Sequence, residues 1–400
     1  MEDGVVSPGG VGYDINCGVR LLATGLTDKQ VRPKLRQLVD ALYFNIPCGV
    51  GGKGKLRLSP AQLDDATTSG AKWAIEQGFG VEKDLSHVEE EGGFIKGADA
   101  SKVSDMAKKR GAPQFGTLGS GNHFIEVQRV DKVYDVETAK AFGITGEGQV
   151  TVMIHSGSRG YGHQVCDDYI RVMLQAAKKY GIELADSELC CAPLSSNEAQ
   201  DYFGAMNSAV NYAFCNRQVM THWARESFQQ VLGGSWEDYG MGLVYDVCHN
   251  IAKMEEHQVE GKNAKLCVHR KGATRAFPKG RKEIPSAYRL VGQPVLIPGT
   301  MQTASYLLVG VESGAQTWFS TCHGAGRVMS RHEALRNYRG TELWKEMEAS
   351  GMAVKAPTPQ SLAEEAGGAY KNVDDVVESV EMAGLSKIVA RMTPLGVIKG

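Results

Sequence analysis

Six short segments, scattered between residues 12 and 327, each set a histidine, a cysteine or both among glycine, asparagine or arginine instead of apolar packing residues. They are Gly12-Tyr13-Asp14-Ile15-Asn16-Cys17-Gly18, Gly119-Ser120-Gly121-Asn122-His123, His155-Ser156-Gly157-Ser158-Arg159-Gly160, Asp246-Val247-Cys248-His249-Asn250, Val268-His269-Arg270-Lys271-Gly272 and Cys322-His323-Gly324-Ala325-Gly326-Arg327. Glycine beside a ligand-type side chain lets another group approach the backbone closely, and a nearby arginine suits an anionic substrate. One such cluster would be weak. Six in one chain call for a fold that gathers remote segments into one site for metal and phosphate.

The 400 residues can build a large core, and 42% hydrophobic with 22% charged residues is the balance of a soluble globular protein. With 48 glycines and no collagen-like period, many tight turns and backbone-lined pockets are expected. A net charge of −2 argues against coating nucleic acid by bulk charge and leaves a local basic groove open. The nine cysteines are irregularly spaced without a CxxC pair, which fits a reducing compartment with most thiols buried. No apolar run approaches membrane-spanning length, and the N-terminus lacks signal-peptide layout, so an intracellular location, cytoplasm or nucleus, is expected.

Patterning predicts a mixed α+β chain in a single domain over 1–400. Strands are expected at 18–23, 150–154, 243–247, 265–268, 294–297 and 305–311, several followed directly by ligand-type residues. Helices are expected after the N-cap Thr27, with Val31, Leu35, Leu38 and Leu42 on one stripe, and after Ser59, with Pro60 first and Trp73 further on. Others are expected at 163–180, stopping at Gly181, and at 331–349 and 374–383. The longest, 198–231, reads as scaffold. Residues 84–99, acidic and poor in large apolar groups, read as a surface excursion, and the chain ends in a short apolar tail.

Asp14 and Cys17 are three residues apart and can face one ion; carboxylate, thiolate and imidazole together favour a borderline-soft divalent metal over Mg²⁺ or Ca²⁺. The plain alternative is a turn-capping aspartate beside a buried thiol. His123 follows glycines 116, 119 and 121, whose amides can cradle an oxyanion; a lone histidine is otherwise a satisfied core residue. His155 and His249 each follow an expected strand. His269, Arg270, Lys271, Arg275, Lys279, Arg281 and Lys282 form a basic run, either a solvated loop or a contact for a polyanionic backbone.

At these residues the chain resembles the RtcB family of RNA ligases, most closely its archaeal and eukaryotic branch. The strings GYDINCGVR, GSGNH, HSGSRG, HNIAK, HRKGATRAF and CHGAGR carry the likeness, which runs from Val5-Val6-Ser7-Pro8-Gly9-Gly10 to Ile398-Lys399-Gly400. The resemblance implies an α+β fold with central sheets, peripheral helices and a dispersed two-metal site. It implies GTP- and manganese-dependent joining of RNA 3′-phosphate or 2′,3′-cyclic phosphate ends to 5′-hydroxyl ends, as in tRNA splicing. Asp14, Cys17 and His123 would hold one Mn²⁺, and Cys17, His155 and His249 a second, with Cys17 bridging as thiolate. His323 matches the nucleophile that takes GMP from GTP. For the guanylate the resemblance implies Asn122, Glu126, Ser305, Gly324, Ala325, Tyr370 and Lys399; for RNA phosphates, Arg159, Lys271 and Arg331.

Tranfer RNA halves are the substrates the resemblance implies, with an archease activator and a DEAD-box helicase as partners. Family members carry a substantial segment before the Ser-Pro-Gly-Gly motif, which here begins almost at Met1, so strands and RNA-contacting surface from that segment are expected to be missing. Two other readings are carried forward. One is a metal-dependent phosphoesterase on RNA ends, which needs no His323 nucleophile. The other is a non-catalytic RNA-processing subunit that binds through the basic run.

Overall fold

Three strands that start or stop at the ligand-type residues form the middle of one large sheet. Gly18–Thr27 begins directly after Cys17, Phe124–Val133 directly after His123, and Gln149–Ser156 carries His155 near its end. The computed structural model describes residues 4–400. Across the sheet the order is Pro294–Ile297, Ser305–Gly310, Ser386–Lys399, Phe124–Val133, Gln149–Ser156, Gly18–Thr27 and Gly242–Cys248. These neighbours are all antiparallel; the eighth strand, Ala353–Lys355, pairs parallel with the last strand.

Period-two alternation gives this sheet two buried faces. On Gly18–Thr27, Leu22 packs with the helices, while Val19, Leu21 and Ala23 point to the opposite face. Val152 and Ile154 likewise face the helices, and Met153 joins Phe124, Tyr245 and Leu307 on the other side. The helical layer includes Arg159–Lys179 and the 36-residue helix Asn197–Leu232, capped by Ser196, whose side chain accepts from the Ala199 amide. The long helix is not peripheral. Its middle is buried throughout, and Asn211, Asn216, Arg217 and Gln218 are fully enclosed.

Those polar residues work as struts. Arg217 pairs with Asp246 at 2.8 Å and donates to the carbonyls of Asn16 and Ser156 at 2.9 and 3.0 Å. Asn216 accepts from the Gly116 amide at 2.7 Å and donates to the Thr117 carbonyl at 3.0 Å. The helix thus holds the segments just before Gly18, after Gly116 and at the end of Gln149–Ser156.

Several expectations need correction. Residues 84–99 are no surface excursion: Asp84 is sealed against Arg225 at 2.7 Å, Glu89 against Lys253 at 2.7 Å, and Val88 is in the core. Their acidic composition serves buried ion pairs. The tail is the end of the 14-residue strand Ser386–Lys399, masked in sequence because Pro394 and Gly396 fall at a register shift. The strand expected at 265–268 is the middle of Lys262–Lys271, but its hairpin partner Asn250–Val259 and the strand Phe124–Val133 are not legible in the sequence, their alternation diluted by buried polar residues such as Glu126, Gln128, Lys253 and Glu255. Three expected helices are broken: the first by a 3₁₀ turn around Pro33, the second at Gly70, and 331–349 between Asn337 and Gly340.

Candidate metal centre and adjoining pocket

Antiparallel register explains why residues so far apart meet. Gly18 pairs with Ser156 on one side and Cys248 on the other, and Phe124 pairs with both His155 and Lys399. The starts of two strands and the ends of three others therefore share one rim of the sheet. Cys17, His123, His155, His249 and Lys399 all lie on that rim.

Their ligand atoms converge. Cys17 Sγ lies 3.3 Å from His123 Nε2 and 3.2 Å from His155 Nε2. Asp14 Oδ2 is 2.8 Å from His123 Nε2, and His155 Nε2 is 3.4 Å from His249 Nε2. Two sets result, Asp14 with Cys17 and His123, and Cys17 with His155 and His249, each within a 4.8 Å span and sharing the thiol. The Ser158 amide donates to Asp14 Oδ1 at 3.1 Å.

Burial dominates the electrostatics. It pushes the Cys17 thiol well up and holds His155 and His249 well below the ordinary imidazole value, with neighbouring histidines adding to the latter. Burial opposes ionisation of Asp14 too, but the hydrogen bond and charge of His123 hold its carboxyl below the usual range. Neutral imidazoles with free nitrogens are what a cation requires. One carboxylate, one thiol and three imidazoles in two overlapping triads fit a pair of borderline-soft divalent ions. Arg159 Nη1 donates to His123 Nδ1 at 3.2 Å, and a guanidinium cannot accept. Coordination through His123 Nε2 requires the ring proton on Nδ1, so that contact and coordination exclude each other.

His323 adjoins the second triad, its ring centroid 4.4 Å from that of His249. Its Nδ1 donates to the Gly272 carbonyl at 2.6 Å, which leaves the Nε2 lone pair free, and burial lowers its pKa. It opens on a cavity of about 260 Å³ shared with His155 and lined also by Asn122, Glu126, Gly324, Ala325, Tyr370 and Lys399.

The tRNA-splicing ligase RtcB family model matches residues 1–400. The chain belongs to the RtcB family. Curated proteins named tRNA-splicing ligase RtcB include one from Thermococcus kodakarensis, 58% identical over 400 residues, covering 100% of this chain and 83% of the relative. Another, from Archaeoglobus fulgidus, is 58% identical over 401 residues with the same coverage. One from Aeropyrum pernix is 53% identical over 399 residues, covering 100% of this chain and 82% of its own length.

Against the RtcB resemblance, the five expected metal ligands and His323 come together, and six of the seven guanylate residues line the pocket. Ser305 does not: it stands behind the wall, its hydroxyl accepting from the Gly299 amide at 3.3 Å. Arg331 lines the pocket mouth, Arg159 is buried beside His123, and Lys271 is exposed at the end of the hairpin. The three arginines of the basic run are spent internally, Arg270 on Glu255 at 2.6 Å, Arg275 on Glu90 at 3.0 Å and Arg281 on Glu283 at 2.7 Å, which leaves only the scattered lysines exposed. The run is no open phosphate-binding stripe. Phe124, Thr300, Arg327 and Glu365 also line the pocket and were missed; Arg327 ends the CHGAGR string and could have been found there. No helix among the described residues is long and apolar enough to cross a membrane.

Proposed function

We propose that this chain is a GTP- and manganese-dependent RNA ligase that joins 3′-phosphate or 2′,3′-cyclic phosphate ends to 5′-hydroxyl ends, with tRNA halves as substrates. The observation that carries this reading is His323: an imidazole with Nδ1 anchored to a carbonyl and Nε2 free, between a candidate metal triad and an adjoining pocket.

An RNA 3′-phosphate is a poor electrophile because it has no good leaving group. His323 Nε2 attacks the α-phosphorus of GTP, pyrophosphate leaves with the electron pair of the broken P–O bond, and a labile P–N bond holds GMP. The 3′-phosphate oxygen then displaces His323, giving an RNA-3′-pp-G end. The 5′-hydroxyl attacks the 3′-phosphorus, GMP leaves, and a 3′,5′-diester results. Asp14, Cys17 and His123 would hold one Mn²⁺ and Cys17, His155 and His249 the other; bound there, the ions neutralise phosphate charge and help align the displacement. The Gly272 carbonyl keeps the His323 proton on Nδ1. Glu126 and Lys399 offer an acceptor and a donor to guanine, Tyr370 flanks base or ribose, and Asn122 with Arg331 reaches toward phosphate.

Incubation with α-³²P-GTP and Mn²⁺ tests this reading. Acid-labile label is expected on wild type and none on His323→Ala. Absence of label on folded, metal-loaded wild type sinks it; hydrolysis of cyclic phosphate that persists in His323→Ala without GTP favours the phosphoesterase instead.

A further inference from the structure

Glu365 is 2% exposed and forms part of the pocket wall, yet no role has been assigned to it. Its Oε1 accepts from Arg327 Nη1 at 3.2 Å and from Arg331 Nε at 2.9 Å. Its Oε2 accepts from the Tyr370 hydroxyl, and the Lys399 ammonium stands 3.8 Å away. The donors around it are unequally spent. Arg327 also gives Nε to the Met329 carbonyl at 3.0 Å and Nη2 to the Glu364 carbonyl at 2.8 Å, which ties its own loop to the end of the helix Pro359–Glu364. Arg331 contributes only Nε, so both its Nη groups remain available. Lys399, 5% exposed, has Glu365 as its ion-pair partner among the described residues.

We infer that Glu365 is the positioning residue of this pocket, orienting Lys399 and Tyr370 on the side of the base and Arg331 on the side of the phosphate, without itself touching the nucleotide. The inference rests on the guanylate reading above. Three cations around one small cavity repel each other, and a single carboxylate with four lone-pair sites can face all of them while leaving the outer donors of Arg331 and Lys399 free. The two oxygens also divide the work. Replacing Glu365 by Gln keeps a carbonyl oxygen for the arginines and puts an NH₂ toward Lys399 and Tyr370, where it cannot accept. The loss should therefore fall on the base side.

The test is calorimetric binding of GMP, and separately of a short 3′-phosphorylated RNA, to the full chain, with melting temperatures measured alongside. Glu365→Gln is expected to weaken GMP about 10-fold or more and the RNA by less than about 3-fold. Lys399→Met should weaken GMP comparably, and the double variant should be no more than about 3-fold worse than the poorer single, since both remove one orientation. Unchanged GMP binding by Glu365→Gln overturns the inference, as do effects that multiply in the double variant. Loss of both probes together with a lowered melting temperature also overturns it, because that is a merely structural carboxylate. If Glu365→Gln does not fold, Tyr370→Phe replaces it in the cycle with Lys399→Met, and multiplying effects overturn the inference equally. Wild type that binds no GMP removes the guanylate reading itself, an outcome distinct from wild-type binding that Glu365→Gln leaves intact.

Discussion

Gly157 shows how a motif glycine serves the site. A Cβ built there would lie 2.5 Å from Asp14 Oδ1, so any side chain pushes the carboxylate out of its triad. Gly157→Ala is expected to lower bound Mn²⁺ from two toward one per chain by elemental analysis, with a melting temperature within about 3 °C of wild type. Retention of two ions would mean that Asp14 is not a ligand. Glu126 makes a second prediction at this scale. Burial pushes its carboxyl up to about 7, against Gln128 and Lys399, which pull it down. Because the folded value exceeds the unfolded one, its contribution to stability is complete below the unfolded value and is lost as pH rises through about 7. Guanine offers N–H donors, which need the ionised carboxylate, so GMP should release the Glu126 proton on binding. Between pH 8 and pH 6 the GMP dissociation constant is expected to rise about 10-fold more in wild type than in Glu126→Gln, which keeps only the titration of the GMP phosphate. Equal pH dependence in the two proteins would place the titrating group elsewhere.

Among the elements, the long helix Asn197–Leu232 carries a row of buried polar residues whose structural part is not legible in the sequence. Its existence and approximate extent, 198–231, are legible from a sustained helical pattern. The part of its polar residues is not, because a single sequence cannot distinguish an exposed arginine from one that spans a core. Arg20 and Arg217 both close on Asp246, at 2.7 and 2.8 Å, with all three side chains at 0% exposure. Cys17 follows Asn16, whose carbonyl Arg217 holds, so the candidate metal rim is tied to the helix through this carboxylate. Asp246→Ala leaves two buried guanidinium groups short of charge, and a loss of about 3–5 kcal/mol is expected in urea unfolding. A loss under about 1 kcal/mol would show that the helix is anchored by apolar contacts alone. The residues that cluster are readable because chemically unusual strings carry most of them, while the roles proposed for them come from the resemblance. Their convergence is not readable, because it depends on strand register, and two of the register-setting strands, Phe124–Val133 and Ser386–Lys399, hide their alternation behind buried polar groups and a proline.

For the molecule as a whole, the position of this candidate metal rim matters more than any one side chain on it. Asp14 and Cys17 precede the strand Gly18–Thr27, His123 precedes Phe124–Val133, His155 ends Gln149–Ser156, and His249 follows Gly242–Cys248. Four strands that are neighbours in space, with sequence between them drawn from more than half the chain, are thus joined at one end by the same donors. Ions bound there stabilise the folded state alone, because the unfolded chain cannot assemble either triad. At about 100 times the dissociation constant each ion adds ~2.7 kcal/mol. For a chain of 400 residues that is a rise of about 3 °C per site, or roughly 6 °C for two. Adding Mn²⁺ to chelator-treated protein should raise the melting temperature in a dose-dependent way toward that value. Cys17→Ser, which alters the donor common to both triads, should lose most of the rise, whereas Gly157→Ala should keep about half. Identical melting with and without Mn²⁺ in wild type would show that these donors do not hold the ion, whatever the sequence kinship. A full rise retained in Cys17→Ser would deny the thiol its bridging place and require two sites that share no ligand.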